Sequence, residues 1–224
     1  KIEHYFAYHP KTTIVAISKS EEEQALSLAP HVMRINNFID VEALNRFTIQ
    51  PPSEKKLIVT SGRISEQKNP KLFNIIAEHM PETSFLWIGD GPLHAILTSP
   101  NITVTGYMSR EEALQKVSLA TIYLQTSLWE GLSVSLLEAM ALGKPVVASK
   151  VEGNKELIND SIDGFLCSPD EPAEFIAYLK KLLADNNLYA QLQRKAREKV
   201  LRQYSQTQAL ESYSRLYQNG SASF

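Results

Sequence analysis

The sequence predicts an α/β fold in which helices cover both faces of a doubly wound parallel sheet. Short apolar runs alternate with amphipathic segments along most of the 224 residues, and six such runs fall between residues 56 and 167. Strands that alternate with helices are joined by right-handed crossovers, which place the strands side by side and parallel. Six strands in this length are typical of a Rossmann-like sheet.

Each element is predicted from its local pattern. Runs rich in β-branched residues, such as TIVAIS and KLIVTS, indicate buried strands. Apolar residues at helical spacing indicate helices, and Ser20 is predicted to cap the first of them. Pro51 and Pro52 interrupt regular structure and mark a connector at 38–54. The predicted strands are 13–18, 31–36, 56–61, 84–89, 102–106, 121–125, 145–149 and 164–167, and the predicted helices are 20–29, 70–80, 109–119, 132–142, 152–158, 171–184, 188–203 and 203–218.

The composition excludes several classes of protein. A formal net charge of −2 argues against electrostatic capture of nucleic acid. Cys167 is the one cysteine, which excludes an internal disulfide and fits a reducing compartment. The five histidines show no ligand spacing, so we predict no metal site. Because we find neither a membrane-spanning apolar run nor a leader, we expect a cytoplasmic location, with the inner face of a membrane as the alternative.

The stretch SGRISEQKNP, residues 61–70, has the chemistry of an anion site. Gly62 allows the chain to turn tightly where the strand ends, and Asn69 is suited to cap the following helix. Arg63 and Lys68 lie near that helix N-terminus, whose exposed N–H groups favour an anion. Their spacing fits a phosphate or a diphosphate. The alternative is that both cations are solvated loop charges.

A second stretch carries two carboxylates, Glu130 and Glu138, separated by seven residues. Glu130 precedes Gly131 in the loop after the strand at 121–125, where it can project into the same crevice as Arg63. Glu138 lies about two turns into a helix that is apolar on nearly every side. A buried carboxylate needs partners, and two acceptor oxygens suit the vicinal hydroxyls of a ribose. The alternatives are a core salt bridge for Glu138 and a plain surface acid for Glu130.

Five motifs occur in order along the chain: GRISEQKN, IGDGP, TGYMSREE, EGLSVSLLEAMALGKPVVAS and DGFL. Together they resemble the donor-binding half of the retaining GT-B glycosyltransferases, which use nucleoside-diphosphate sugars. The resemblance covers roughly residues 56–218. The E-x7-E signature of that family is met by Glu130 and Glu138, and its R-x4-K pair by Arg63 and Lys68.

The resemblance implies a role for each of these side chains. Arg63 and Lys68 would bind the diphosphate and neutralise the charge of the leaving nucleotide. Glu138 would hold the ribose hydroxyls. Glu130 would lie against the donor sugar, so the catalytic residues are Glu130, Arg63 and Lys68. The resemblance also implies contacts, many through the backbone, from Gly62, Tyr107, Met108, Gly131, Leu132, Ser133 and Val134, with Tyr107 and Met108 next to the base.

The resemblance further divides the chain into three parts. Residues 1–50 correspond to the end of an N-terminal acceptor domain and a linker, 51–204 to the donor domain, and 205–224 to a crossover helix and tail. We therefore expect a piece of a longer enzyme that is inactive in transfer on its own. Such an enzyme would transfer a hexosyl unit from a UDP- or GDP-sugar to a glycan or lipid-linked acceptor, which the missing domain would hold. The transfer would need no metal and no cofactor. The whole enzyme could also associate peripherally with a membrane.

Two alternatives stay open at this point. A nucleotide-sugar epimerase or a sugar phosphorylase could use the same fold, although no lysine stands out as a pyridoxal phosphate carrier. A different class of protein would bind the nucleotide sugar as a regulatory or scaffold module without turnover. Turnover of the donor sugar distinguishes a transferase from such a binding module.

Overall fold

Six parallel strands form the central sheet of the molecule, in the order β5-β4-β3-β6-β7-β8. The structure, a computed structural model, describes residue 9, residues 12–47 and residues 56–221, with side chains as far as residue 218. The order confirms the predicted doubly wound sheet, because the chain reverses its direction of travel between β3 and β6. The strands are β3 (Leu57–Ser61), β4 (Ser84–Ile88), β5 (Ile102–Val104), β6 (Ile122–Gln125), β7 (Val146–Ser149) and β8 (Phe165–Cys167).

Helices cover both faces of this sheet, as the alternating pattern predicts. Along β6, Tyr123 belongs to one buried cluster, whereas Ile122 and Leu124 belong to the other. Since side chains alternate between the faces of a strand, burial on both faces explains why the strands are apolar throughout. The helices are α1 (Lys19–Leu26), α2 (Val41–Asn45), α3 (Pro70–Glu78), α4 (Arg110–Ser118), α5 (Val134–Ala141), α6 (Glu152–Leu157), α7 (Pro172–Ala184), α8 (Asn186–Gln203) and α9 (Gln206–Ser221).

A small N-terminal unit precedes the sheet and consists of β1 (Ile14–Ala16), α1 and β2 (Val32–Arg34), with the two strands paired in parallel. The prediction that Ser20 caps α1 is wrong. Ser18 is the N-cap, and its hydroxyl accepts a hydrogen bond from the Glu21 N–H at 3.2 Å. Ser18 is the last residue with an extended backbone, so the helix begins before Ser20 is reached.

The N-terminal unit and the segment that follows it contact a helix and a loop beside the central sheet. The Lys19 N–H contacts both carboxylate oxygens of Glu156 at 2.8 Å. The Asn37 amide donates to the carbonyl oxygen of Leu132 at 2.7 Å. Residues 48–55, with the predicted proline break, lie outside the described residues, so the three-part division of the chain stays a prediction. In the part of the chain that is described, no helix is long and apolar enough to cross a membrane.

Candidate functional site

The candidate site is the crevice at the carboxyl ends of β3 and β6, where the sheet order reverses. The loops that follow these two strands are tied together. The Leu128 N–H donates to the carbonyl oxygen of Gln67 at 2.8 Å, and the Gln67 amide donates to that of Trp129 at 3.1 Å. The Thr126 hydroxyl donates to the carbonyl oxygen of Lys68 at 2.8 Å. These bonds fix the spacing between the basic and acidic loops.

The basic loop adopts the turn that its sequence predicts. Gly62 has a φ of 143°, a conformation that favours glycine. Asn69 has a φ of 48°, and its side chain accepts a hydrogen bond from the Leu72 N–H at 3.2 Å. Asn69 therefore caps α3, with Pro70 in the first turn, as predicted. The turn brings Lys68 back across the crevice toward the loop after β6.

Lys68 and Glu130 form an ion pair, called here the inner ion pair, with 2.6 Å between the Lys68 Nζ and Glu130 Oε1. The side chains are only 17% and 6% exposed. The Ser127 hydroxyl also donates to Oε1, at 2.5 Å. No hydrogen bond from a described residue reaches the other oxygen, Oε2. Glu130 is thus no plain surface acid, and its carboxylate is held at the floor of the crevice.

Arg63 does not join this ion pair. Its side chain is exposed, and no described residue forms an ion pair or hydrogen bond with its guanidinium. The two cations of the predicted phosphate pair thus differ: Lys68 is neutralised by Glu130, whereas Arg63 keeps its full donor capacity. An anion in the crevice would meet Arg63 directly and would compete with Glu130 for Lys68.

Glu138 forms a second ion pair with Arg110, called here the outer ion pair. The Arg110 Nη2 and Nε lie 2.6 and 2.9 Å from Glu138 Oε1. Glu138 is 14% exposed and Arg110 55%, so the partner is a surface residue rather than a cation of the core. Burial raises the pKa of the Glu138 carboxyl, and the hydrogen bond and charge of Arg110 oppose that rise.

The start of α5 differs from the prediction. The helix begins at Val134 rather than at residue 132, so Glu138 lies about one turn into it and not two. Ser133 precedes the helix with an extended backbone, and its hydroxyl is engaged by the Gln125 side chain at 2.9 Å. Gln125 ends β6, so a contact between elements sets the point where the helix starts.

The segment from Gly131 to Val134 is packed tightly on one side. A side chain at Gly153 would collide with the carbonyl oxygen of Gly131. Leu132 is buried, whereas Val134 is 42% exposed. Within the described residues, no hydrogen bond is donated by the N–H groups of this segment. These N–H groups are the free donors expected at a helix N-terminus. They are available for the predicted backbone contacts with a ligand.

Tyr107 and Met108 lie in the loop between β5 and α4. The Tyr107 side chain is 79% exposed, while Met108 packs against the buried cluster that contains α5. Ser109 caps α4 and forms a reciprocal capping box with Glu112. Arg110 is the first residue of α4, so the outer ion pair ties this loop to α5.

Three residues at the site were not singled out from the sequence. Arg110 lies inside the motif TGYMSREE, but its partner Glu138 is 28 residues away and is reached only in the fold. Ser127 lies just before the acidic motif, three residues from its partner Glu130. Glu21 belongs to α1, and its carboxylate would lie 3.0 Å from a side-chain carbon at Gly131. The sequence offers one signal for such residues, which is a polar side chain inside a recognised motif. Of these three residues, only Arg110 meets it.

Metal binding has no obvious donor set at this site. Across the described ranges, no group of three or more His, Cys, Asp or Glu side chains could hold a metal ion. Arg63, Lys68 and Arg110 supply positive charge beside the crevice.

The matching family model and two similar sequences all describe glycosyl transferases. A family model described as "Glycosyl transferases group 1" matches residues 41–199. The sulfoquinovosyl transferase SQD2 of Arabidopsis thaliana is 28% identical over 201 residues, which cover 83% of this chain and 39% of that protein. The UDP-Gal:alpha-D-GlcNAc-diphosphoundecaprenol alpha-1,3-galactosyltransferase of Escherichia coli is 28% identical, over 70% of this chain and 43% of that protein. The chain spans less than half the length of these relatives.

Solved structures share the fold. The sucrose-phosphate synthase of Thermosynechococcus elongatus superposes with a TM-score of 0.86 at 18% identity, over 100% of this chain and 61% of that one. HepE of Anabaena, solved with UDP and glucose, superposes with a TM-score of 0.80 at 18% identity, over 92% of this chain and 62% of that one. The central sheet and its helices thus match one part of GT-B structures.

Proposed function

Because the chain belongs to the group 1 glycosyl transferases, we propose that it is the donor-binding part of a retaining enzyme of the E-x7-E type. The proposed ligand is a nucleoside-diphosphate sugar, bound in the crevice between β3 and β6. One observation carries this proposal. The inner ion pair, the exposed guanidinium of Arg63 and the largely buried Glu138 lie around the carboxyl edge of one parallel sheet. In open α/β sheets, ligands bind at this edge where the strand order reverses.

The proposed chemistry follows from the charges. Breaking the bond between sugar and phosphate builds negative charge on the diphosphate and positive charge at the anomeric carbon. Arg63 and Lys68 would oppose the first, and Glu130 would contact the sugar and oppose the second. The inner ion pair favours this division, because a diphosphate that takes Lys68 leaves the Glu130 carboxylate unpaired beside the sugar. Since two cations fill the role of a metal, we propose transfer without one.

The nucleotide would span from the inner to the outer ion pair. Glu138 would accept hydrogen bonds from the ribose hydroxyls, and the backbone around Tyr107 and Met108 would contact the base. The N–H groups of Gly131 to Val134, together with the turn at Gly62, would contact sugar or phosphate. We propose a UDP- or GDP-hexose. A UDP-sugar is supported by the name of the Escherichia coli relative and by the UDP bound in HepE.

The acceptor would be a glycan or a lipid-linked sugar held by a domain of the whole enzyme. The Escherichia coli relative is named for a lipid-linked acceptor. Because the chain spans less than half of the length of such relatives, we propose that it binds the donor but does not transfer it alone. We propose a cytoplasmic site of action, at or near the inner face of a membrane, for the whole enzyme.

Thermal unfolding in the presence of UDP, GDP and ADP tests the proposal. A ligand that binds only the folded form raises the melting temperature, so one of the three should raise it by several degrees at millimolar concentration. The matching nucleoside is the control and should have little effect. If none of the three diphosphates shifts the transition, the proposed function is wrong.

Turnover separates an enzyme from a binding module. A longer protein that includes the acceptor domain should transfer the sugar, or slowly hydrolyse the donor. The chain alone should bind the donor and leave it intact. Binding without turnover in both forms would contradict the proposed transferase and support a regulatory module.

A further inference from the structure

We propose that Arg110 is a positioning residue for Glu138. Arg110 holds one oxygen of the Glu138 carboxylate and leaves the other open to a ribose hydroxyl. This inference rests on the proposed function, since it names the group that prepares Glu138 for the nucleotide. Arg110 would not touch the reacting atoms.

The contacts of the outer ion pair are one-sided. Both Arg110 nitrogens contact Oε1 of Glu138, at 2.9 Å from Nε and 2.6 Å from Nη2. No described residue donates a hydrogen bond to the second oxygen, Oε2. Two donors on one rigid guanidinium fix the carboxylate more strongly than a single donor would. The carboxylate is therefore held in place with one oxygen free, which is the arrangement that a hydroxyl donor needs.

Arg110 also controls the charge of Glu138. Burial raises the pKa of this carboxyl, and Arg110 is the residue that lowers it. A protonated carboxyl would be a poorer acceptor for a ribose hydroxyl, so an ionised Glu138 favours binding. The outer position of Arg110 fits this function, because an exposed guanidinium stays charged at no desolvation cost.

Several other charged groups on or beside the elements packed against α5 contact partners of their own. These elements are α2, α4, α8 and the strands β6 and β7. Among the described residues, Arg110 supplies the charge that lowers the pKa of Glu138; the charges of Glu42, Lys116, Lys195 and Arg202, which lie on the same elements, are not among its causes. The groups with partners of their own are Arg46 with Glu111 at 3.3 Å, Glu112 in the capping box with Ser109, Arg194 with Glu198 at 3.4 Å, Arg197 on the Ala141 carbonyl at 3.0 Å, Lys199 with Asp163 at 3.0 Å, and Lys144 on the carbonyls of Ser118 and Ala120.

Calorimetric titration tests the inference with the nucleoside diphosphate that binds tightest among UDP, GDP and ADP, and with its 2′-deoxy form. Arg110→Gln should weaken binding of the ribonucleotide about tenfold, and that of the deoxy form clearly less. Arg46→Gln is the matched control, because Arg46 is also a half-exposed arginine, 49% exposed, that forms an ion pair with a glutamate, Glu111. It should leave both affinities unchanged.

A double-mutant cycle separates positioning from a structural effect. In a Glu138→Gln background, Arg110→Gln should cause no further loss of affinity. Arg110→Lys should recover part of the loss, because it restores the charge but not the two-point contact. Equal losses for the ribo and deoxy ligands, or a loss that persists without the Glu138 carboxylate, would overturn the inference while the proposed function stands.

The pH dependence gives a second readout. Arg110→Gln removes the interaction that lowers the Glu138 pKa, so the carboxyl should become protonated at a higher pH. As the pH is lowered, ribonucleotide binding should therefore begin to weaken at a higher pH in this variant than in the unmodified protein. An NMR titration of the Glu138 carboxyl should show the same upward shift without any nucleotide. An unchanged carboxyl titration in Arg110→Gln overturns the inference. Failure of all three diphosphates to bind the unmodified chain would instead overturn the proposed function.

Discussion

Two lysine–carboxylate pairs in this molecule have nearly the same burial but very different surroundings. Lys68–Glu130 spans 2.6 Å with side chains 17% and 6% exposed, and Lys199–Asp163 spans 3.0 Å with side chains 11% and 4% exposed. Asp163 has both oxygens filled, since Oδ1 accepts from the Asn159 N–H at 2.8 Å. Glu130 has both of its described contacts on one oxygen.

The position in the sheet differs as well. Glu130 follows β6, at the carboxyl edge where Arg63 is also found, whereas Asp163 precedes β8 and so lies toward the amino edge. Burial of an ion pair therefore does not by itself mark a binding site. Unused hydrogen-bonding capacity at the carboxyl edge of the sheet does, and the following predictions test that distinction.

The largest effect is expected for Lys199→Met. This change leaves the Asp163 carboxylate buried without its cation, which costs about 3 kcal/mol of the free energy of unfolding. Urea denaturation measures the loss. Nucleotide affinity of the folded protein should not change, because the pair lies away from the crevice. A large loss of affinity in this variant would contradict the claim that this ion pair lies outside the binding site.

Lys68→Ala should act in the opposite way. We expect the affinity for a nucleoside diphosphate to fall about a hundredfold, because a charge-assisted bond to phosphate is lost and Glu130 is left to repel the anion. Affinity for the corresponding nucleoside should change little. Calorimetry with both ligands measures the difference, and equal losses for the two would count against the phosphate role of Lys68.

Lys144 sharpens the comparison, because it is a buried lysine that donates to carbonyl oxygens and has no carboxylate partner among the described residues. Burial lowers its pKa to about 8, whereas an unfolded lysine keeps its ordinary value near 10.5. Between these values the unfolded state binds more protons, so this group makes the protein more stable as pH rises from 8 to 10.5.

Relative to Lys144→Met, the unmodified protein should gain about 2 kcal/mol of unfolding free energy across this window. Urea denaturation of both forms at several pH values measures the difference, which cancels the titration of other groups. Parallel pH profiles for the two forms would show that Lys144 is not desolvated in the folded protein.

Glu138→Gln is expected to have the smallest effect. Affinity for the ribonucleotide should fall about tenfold, since a neutral amide oxygen is a weaker acceptor than a carboxylate. The 2′-deoxy analogue should lose less. Competition binding with both ligands measures the ratio, and an equal loss for the two would remove the ribose role from Glu138.

Local features of the site could be predicted from the sequence, because short-range chemistry determines them. Gly62 turns with a positive φ, and Asn69 caps α3 with its own side chain. The doubly wound parallel sheet could be predicted from buried runs that alternate with helices. The motifs identified the basic and acidic loops, and the fold brings both to the same edge.

Features that depend on distant contacts could not be predicted. Lys68 and Glu130 are 62 residues apart in the chain, and Arg110 and Glu138 are 28 apart. No local pattern states that Lys68 turns onto Glu130 while Arg63 stays exposed. The start of α5 was placed two residues early, because Gln125 engages Ser133 from a neighbouring strand.

A crystal structure of the chain with UDP bound tests the central claim most directly. We expect a diphosphate oxygen within hydrogen-bond distance of the Lys68 Nζ, and a ribose hydroxyl on Oε2 of Glu138. The distance from Lys68 Nζ to Glu130 Oε1 should then exceed 2.6 Å. A nucleotide bound elsewhere, with the inner ion pair intact and Oε2 of Glu138 untouched, would contradict it.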